Sequence, residues 1–298
     1  MPVERAVAEP ALLGESPFWH PHEQRLYYCD IAGRELRVFD PADGRLARHA
    51  FASDVASAAP VEGGGVLLAR RDGLWFFDPA TGAERQLAVP PYDPAHERFN
   101  DGKCDPAGRF WCGTLREPRV PQAALYCLDG GRLERKADGI TVSNGLGWSP
   151  DARTMYWADT KAHTLYALDY DRSSGAIAQR RVFARFAERA PGAPLERYGG
   201  RPDGAAVDAD GNVWLAMYEG ARLVQLASDG TPRSEVALPV RCPTMPCFGG
   251  ADLRTLYVTT ARQHRPADEL AHEPWAGCVL ALRVDVPGLP VAFARLAA

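Results

Sequence analysis

Long apolar runs are missing from this chain. No stretch approaches the roughly 20 consecutive apolar residues that a membrane-spanning helix needs, and residues 1–16 carry charged positions in place of the apolar run of a signal peptide. Runs of basic residues are missing as well, and the formal net charge of −4 argues against nucleic acid or an anionic membrane as the main partner. We therefore expect a cytoplasmic protein that binds neither nucleic acid nor membrane.

Paired cysteines are also absent. The seven cysteines are odd in number and scattered, without a Cys-x-x-Cys pair, whereas a zinc ribbon or a disulfide framework needs tighter grouping. We expect them to be small buried side chains in a reducing compartment, and we interpret the close pair Cys242 and Cys247 as packing residues. The chain also lacks a Gly-x-Ser-x-Gly elbow, which argues against a serine hydrolase.

What the sequence does contain is a repeated cassette of short strands and tight turns. Hydrophobic residues make up 46% of the chain and charged residues 24%, which suits a globular core. No amphipathic helix interrupts the strands, apart from a single helical turn predicted at Ala267 to His272. A strand-turn-strand unit recurs about every 40 to 50 residues, the spacing of β-propeller blades. The six units centre on residues 16–44, 64–82, 98–129, 144–169, 202–226 and 247–282.

Six such units predict an all-β fold, a six-bladed β-propeller that occupies residues 1–298 as a single domain. An isolated blade cannot bury both faces of its sheet, so the blades must stack around an axis and close into a ring. Val3 to Ala8 is the candidate for the strand that closes the ring against the last blade. A pair of β-sandwiches is the competing interpretation, and it is disfavoured because sandwiches do not need the same aromatic-turn-aromatic cassette six times.

Polar residues stand at the heads of several units, where the innermost strand of a blade would begin. They are Glu15, Asn100 with Asp101, Asn144, and Asp203. If the blades converge on one channel, these oxygen-bearing side chains converge too, and the repulsion between carboxylates invites a hard divalent cation such as Ca²⁺, Mg²⁺ or Mn²⁺. By spacing alone, however, an Asn or Asp before Gly is more often a turn residue.

The cassettes themselves resemble those of the SMP-30/gluconolactonase/regucalcin family, in order and across nearly the whole chain. The resemblance implies a six-bladed propeller that binds one divalent metal ion in its channel and hydrolyses sugar lactones to aldonic acids. The motifs that carry it are Leu13-Gly14-Glu15-Ser16-Pro17-Phe18-Trp19, Arg98-Phe99-Asn100-Asp101-Gly102-Lys103, Gly108-Arg109-Phe110-Trp111-Cys112-Gly113-Thr114, Ser143-Asn144-Gly145-Leu146, Pro202-Asp203-Gly204 and Cys247-Phe248-Gly249-Gly250.

The resemblance also implies roles for particular residues. Glu15, Asn144 and Asp203 match the metal ligands of the family, and Asp203 matches its proposed general base. Arg98 and Asn100 match the substrate-contacting residues of the Arg-x-Asn-Asp-Gly motif. The metal that the resemblance implies is one ion of Ca, Mg, Mn, Zn or Fe(II), and the partner is a small-molecule sugar lactone.

These residue types suit the hydrolysis of a cyclic ester. A divalent ion polarises the carbonyl oxygen, Asp203 accepts the proton of the attacking water, and Arg98 and Asn100 orient the substrate. One alternative is a related propeller esterase that acts on organophosphates or non-sugar lactones. Another is a non-enzymatic calcium-binding propeller, for which the Tyr156-Trp157 pair is the best support.

Several nearby residues stay outside this assignment. Glu117 lies slightly before the position of a further substrate-contacting glutamate of the family and precedes a proline, so we leave it out. Asp101 and Lys103 are either supporting partners of the site or turn residues, and His20 and His22 are expected to be solvated. Further candidates for the pocket border are Tyr218, Trp275 and the segments 187–200 and 262–275.

Overall fold

The computed structural model describes residues 2–296, and in these residues nearly all of the regular secondary structure is β-strand. Its strands form six sheets of four strands each, arranged as the six blades of a β-propeller. The predicted fold class is therefore confirmed. Within the described residues, no helix is long and apolar enough to cross a membrane.

Each blade runs from an innermost strand at the channel to an outermost strand at the rim. The first blade contains β2 (Gly14–His20), β3 (Arg25–Asp30), β4 (Glu35–Asp40) and β5 (Arg45–Ala50), and the second contains β6 (Val55–Pro60), β7 (Val66–Arg70), β8 (Gly73–Phe77) and β9 (Glu84–Ala88). The third contains β10 (Glu97–Cys104), β11 (Phe110–Arg116), β12 (Ala123–Asp129) and β13 (Arg132–Ile140), and the fourth contains β14 (Ser143–Trp148), β15 (Thr154–Asp159), β16 (Thr164–Asp171) and β17 (Ala176–Arg185).

The last two blades include the closure of the ring. The fifth blade contains β18 (Arg201–Val207), β19 (Val213–Tyr218), β20 (Arg222–Leu226) and β21 (Pro232–Ala237), and the sixth contains β22 (Pro243–Gly249), β23 (Thr255–Thr260), β24 (Val279–Arg283) and β1 (Val3–Val7). Strand β1 pairs antiparallel with β24, with Val3 opposite Leu282 and Val7 opposite Val279. The predicted closing strand is thus confirmed, as is the helical turn, which is α1 (Ala267–His272).

Large aromatic side chains fill the spaces between neighbouring blades. Trp111 of the third blade lies edge-on to Trp148 of the fourth with ring centroids 6.3 Å apart, and both are buried. Trp19 of the first blade stacks on Tyr257 of the sixth at 5.9 Å, so the ring is also closed by side-chain packing. Each such pair adds about 0.5–1.5 kcal/mol beyond its area burial. All seven cysteines are free and buried, as predicted.

Every innermost strand changes its pairing register near its start, which marks a bulge or irregularity. The shifts fall between Glu15 and Phe18, Val55 and Ser57, Phe99 and Gly102, Asn144 and Gly147, Pro202 and Ala205, and Pro243 and Met245. Glycines permit these irregularities in two ways. Gly145 adopts a positive φ of +61°, and Gly204 leaves space for Met245 of the next blade, with which a Cβ at position 204 would clash. The bulges sit where the predicted site residues lie.

The units of the second and sixth blades begin earlier than the sequence pattern predicted. Their innermost strands are β6 (Val55–Pro60) and β22 (Pro243–Gly249), whereas the sequence pattern predicts that these units begin at Gly64 and Cys247. The reason is that β6 reads Val-Ala-Ser-Ala-Ala-Pro and is buried throughout, so no polar head or turn residue marks it. Cys247 belongs to the second half of its strand rather than to its head.

The segment 287–296 crosses the face of the ring where the innermost strands end. Leu289 N donates to Val207 O of the fifth blade at 3.3 Å, and Ala294 N donates to Pro60 O of the second blade at 2.7 Å. Because the second and fifth blades stand opposite each other in a ring of six, the segment between them must pass over the axis. It covers a mostly apolar cavity of about 270 Å³ in that half of the channel. The predicted site residues do not line this cavity.

Candidate functional site

The predicted site residues lie together at the other end of the channel. Glu15, Asn100, Asn144 and Asp203 come from the innermost strands of four different blades and are all buried, with exposed fractions of 3–8%. Arg98, two residues before Asn100 in β10, is half-buried. Residues up to 188 positions apart in sequence (Glu15 and Asp203) are thus brought to one place by closure of the ring.

A chain of hydrogen bonds joins three of these residues and fixes the orientation of both amides. Arg98 Nη1 donates to Asn100 Oδ1 at 2.9 Å, and Asn100 Nδ2 donates to Asn144 Oδ1 at 2.8 Å. Asn144 Nδ2 then donates to Thr160 Oγ1 at 2.7 Å. Because a guanidinium has donors only, Asn100 must present its oxygen to Arg98 and its nitrogen to Asn144. Asn144 consequently keeps an oxygen with a second lone pair.

Burial and neighbouring carboxylates raise the pKa of both acids of the site. Burial, followed by the charges of Asp203 and Asp101, raises the pKa of Glu15 well above its ordinary value. Burial and the Asp101 charge raise the pKa of Asp203 to about 8, and Arg201, Arg98 and the Asn144 side chain only partly offset them. Two neighbouring buried acids with raised pKa values are only partly compensated by the nearby positive charges.

Other buried carboxylates in the same fold are satisfied, which sets Glu15 and Asp203 apart. Asp105 accepts bonds from Arg109 N at 2.9 Å, Trp111 Nε1 at 2.9 Å and Tyr170 OH at 2.6 Å, among others. Glu15, by contrast, accepts one long bond, from Ser16 N at 3.3 Å. The structural aspartates therefore hold turns and strands together, whereas Glu15 has that single bond and the side chain of Asn144 acts on Asp203.

Asp101 and Lys103 lie within β10 and not in a turn. Asp101 Oδ2 accepts a bond from Leu146 N of the next blade at 2.9 Å, while its buried Oδ1 has no hydrogen-bond partner among the described residues. Lys103 Nζ donates to Ala205 O of the fifth blade at 2.7 Å. Burial raises the pKa of Asp101, and the Lys103 ammonium acts against that shift. The pair thus links three blades beneath the site.

The donor set fits a hard divalent cation. In residues 2–296 no group of three or more His, Cys, Asp or Glu side chains is arranged to hold a metal ion. The site offers two carboxylates, so an ion bound here would be held by Glu15 and Asp203 together with a third donor of another type, the Asn144 amide oxygen. Carboxylate and amide oxygens are ligands of Ca²⁺, Mg²⁺ and Mn²⁺. A cation bound here would stabilise the ionised form of both carboxylates and so lower their raised pKa values.

Guanidinium groups occupy another side of the channel mouth. Arg98 Nη1 also donates to Phe99 O at 2.8 Å, whereas its Nε and Nη2 form no hydrogen bond with the described residues. Burial, followed by the charges of Arg119 and Arg71, lowers the pKa of Arg98 to about 10. Arg98 remains positively charged at neutral pH and has donors left for a ligand.

Among the other candidates, the structure separates those near the site from those that are not. Tyr218 lies close enough to Asp203 for that charge to raise its pKa, after burial and Cys242, and the guanidinium of Arg201 stands 5.1 Å from its ring. Trp275 instead lies beneath Arg5 of the outermost strand, 5.7 Å from its guanidinium carbon. Glu117 is exposed and pairs with Arg119 at 2.7 Å.

Two departures from the sequence prediction concern residues beside the site and beyond it. His20, expected to be solvated, is buried at 7% exposure because Phe293 of the crossing segment packs edge-on against it at 5.4 Å. Thr160, which holds the Asn144 amide, was missed. The signal for Thr160 was present: it directly follows strand β15, which pairs with the strand that carries Asn144.

Comparisons with known proteins find similarity over nearly the whole chain. The model of the SMP-30/gluconolactonase/LRE-like region matches residues 13–262. The chain is 42% identical over 286 residues to a 6-deoxy-6-sulfogluconolactonase of Pseudomonas putida, covering 95% of this chain and 94% of that protein. It is 33% identical over 294 residues to regucalcin of Danio rerio, covering 97% and 96%. A crystal structure of a calcium-binding protein, regucalcin, from Agrobacterium tumefaciens superposes with a TM-score of 0.91 at 28% identity, covering 98% of this chain and 97% of that one.

Proposed function

The chain belongs to the SMP-30/gluconolactonase/LRE-like family, and from that membership we propose that it is a divalent-metal-dependent lactonase that opens sugar lactones to aldonic acids. The names of two relatives, the 6-deoxy-6-sulfogluconolactonase of Pseudomonas putida and a putative sugar lactone lactonase of Bacillus subtilis, support the substrate class. The observation that carries the proposal is the pair of buried, undercompensated carboxylates, Glu15 and Asp203, next to an amide oxygen of Asn144 that Asn100 holds in place.

The metal ion would be held by Glu15, Asn144 and Asp203. When bound, such an ion supplies positive charge that favours the ionised carboxylates and Lewis-acid polarisation of a carbonyl oxygen. The Arg98–Asn100–Asn144–Thr160 chain of hydrogen bonds fixes the orientation of the Asn144 amide. Its nitrogen faces Thr160, and its oxygen lies on the side of Asn100. Partners of this kind around a ligand typically contribute 10- to 100-fold to metal affinity.

Asp203 is the proposed general base. Water adds to the lactone carbonyl carbon, and an Asp203 carboxylate oxygen accepts the proton that the water gives up. When the bond between the carbonyl carbon and the ring oxygen breaks, Asp203 returns that proton to the departing oxygen, which becomes the new hydroxyl. The products are one carboxylic acid, which releases its proton to solvent at neutral pH, and one hydroxyl, and no covalent enzyme intermediate is needed.

Arg98 and Asn100 are the proposed orienting residues. Nε and Nη2 of Arg98 form no hydrogen bond with the described residues and can bind a sugar oxygen. Because Arg98 is anchored to Phe99 O and to Asn100, little side-chain freedom is lost when a substrate binds. The burial around these groups also strengthens their electrostatic effect on the reacting atoms.

The test is acid release from gluconolactone, xylonolactone, arabinolactone and galactonolactone, followed at constant pH with metal-loaded and chelated protein. We expect hydrolysis that chelation abolishes and added metal restores. Asp203→Asn should lose at least 100-fold in kcat, while the matched exchange at exposed Asp210 should leave it unchanged. Activity that ignores chelators would overturn the metal mechanism. Hydrolysis of paraoxon-type esters but of no sugar lactone would instead favour the esterase alternative.

A further inference from the structure

Three arginines surround one side of the channel mouth, in the second and third blades. Arg98 pairs across β10 and β11 with Leu115, and Arg119 lies four residues beyond that partner, in the loop that follows β11. Arg71 lies in the turn between β7 and β8 and donates to Pro94 O at 3.0 Å, which ties it to the segment leading into β10. The charges of Arg119 and Arg71 both act on Arg98, so the three guanidiniums lie on the same side of the channel mouth.

The charges in this cluster do not balance. Asp54 pairs with Arg71 at 2.7 Å and is also shared with Arg34 at 3.8 Å, while Glu117 pairs with Arg119 at 2.7 Å. Arg98 has no carboxylate within 4.0 Å among the described residues. Glu117 points largely into solvent, with a side chain that is 61% exposed against 33% for Arg119. Three guanidiniums thus share Asp54 and Glu117, which are already engaged, and the other carboxylates that act on Arg98 are the proposed metal ligands Glu15 and Asp203.

The donors of the cluster are divided in a way that leaves room for a ligand. Arg71 uses Nε and Nη2 on Asp54 and Nη1 on Pro94 O, so each of its three nitrogens already has a partner. The terminal nitrogens of Arg119, and Nε and Nη2 of Arg98, form no hydrogen bonds within residues 2–296. Like charges held close together repel one another, and an anion bound between them would offset this repulsion. The planar guanidinium also matches the arrangement of oxygens in carboxylate, sulfonate and phosphate groups.

We propose that Arg98 and Arg119, with Arg71 beside them, form an anion subsite, and that the preferred lactone carries an acidic substituent remote from its carbonyl. The acidic group is a sulfonate, phosphate or carboxylate. This inference rests on the proposed lactonase function, because the carbonyl must lie at Asp203 for the remote end to reach the guanidiniums. Arg119 is then a specificity residue that acts on the substituent and not on the reacting bond.

The experiment compares gluconolactone with its 6-phosphate and 6-sulfonate derivatives on the metal-loaded protein. We expect a kcat/KM roughly tenfold or more higher for the acidic lactones, mainly through KM. Arg119→Gln should lower the ratio of acidic to neutral kcat/KM by about tenfold. Arg132→Gln is the matched control, since Arg132 also pairs with a glutamate two residues away, Glu134, on the outermost strand of the same blade. That variant should leave the ratio unchanged.

Equal rates on neutral and acidic lactones, or an unchanged ratio in Arg119→Gln, would overturn the subsite. Calorimetric binding of gluconate and its 6-phosphate separates this outcome from failure of the proposed function. Tighter binding of the 6-phosphate that Arg119→Gln abolishes would support the subsite even if no lactone were hydrolysed. Equal binding of the two acids would exclude it even if gluconolactone were a good substrate.

Discussion

The carboxylate pair predicts an unusual pH dependence of stability in the chelated protein. Asp203 has a folded-state pKa of about 8, whereas an aspartate in an unfolded chain has about 3.9. Between these values the folded state holds a proton that the unfolded state has released. A folded state that binds more protons loses stability as pH rises. Stability should therefore fall from about pH 4 to pH 8, opposite to the behaviour of a salt-bridged aspartate.

The size of the effect follows from the difference between the two pKa values. At pH 7 a single such group contributes up to about 4 kcal/mol of lost stability, at about 1.4 kcal/mol per pH unit above 3.9. Glu15 adds an effect of the same sign, because its pKa is raised as well, while Arg98 and Arg201 oppose the shift at Asp203. We expect a loss of about 2–4 kcal/mol between pH 4.5 and pH 7, or roughly 3–6 °C in Tm.

The assay is urea unfolding of chelated protein at several pH values, with wild type, Asp203→Asn and the exposed control Asp210→Asn. Asp203→Asn should flatten the profile and be the most stable of the three at pH 7, and Asp210→Asn should follow wild type. Saturating metal should remove the decline, because the ligands then bind as carboxylates. A chelated wild type that gains stability toward pH 7, in parallel with Asp203→Asn, would refute the reasoning.

Three further predictions concern separate parts of the molecule. Arg98→Met frees the Asn100 amide to rotate, so metal affinity measured by calorimetry should fall about 10-fold, and an unchanged affinity would contradict the orienting role. Asp105→Asn weakens the bonds to Arg109 and Tyr170 and should cost about 2–4 kcal/mol in urea unfolding while metal affinity stays the same. All seven cysteines are buried, and burial raises the pKa of Cys29, Cys104 and Cys112. Dithionitrobenzoate should therefore label the native protein slowly and all seven thiols after denaturation. Rapid labelling of the native protein would disprove this burial.

The blade architecture was predictable because turns and alternating strands leave local marks. The Asp105 to Gly108 turn, the closing strand from Val3 and the short helix at Ala267 all carry such marks and were found as predicted. Strand β6 escaped prediction because a small, wholly buried strand has no polar face and no alternation. Periodicity detects half-buried strands, and it fails where both faces of a strand are covered.

The site was predictable in part. Glu15, Asn144 and Asp203 could be named from the resemblance of their motifs, but spacing alone could not distinguish them from turn residues. Their shared feature is a bulge at the start of an innermost strand, which depends on the pairing of strands and is not visible in a sequence pattern. Arg119 and the burial of His20 depend on contacts between distant segments, and no local signal marks them.

The most direct test of the central claim is calorimetric titration of Ca²⁺ and Mn²⁺ into chelated wild type, Glu15→Gln, Asn144→Ala and Asp203→Asn at one pH. We predict one ion per chain in the wild type and at least 100-fold weaker binding in each variant, with folded spectra throughout. Binding of an ion with wild-type affinity by any of the three variants would show that these side chains do not share one metal site.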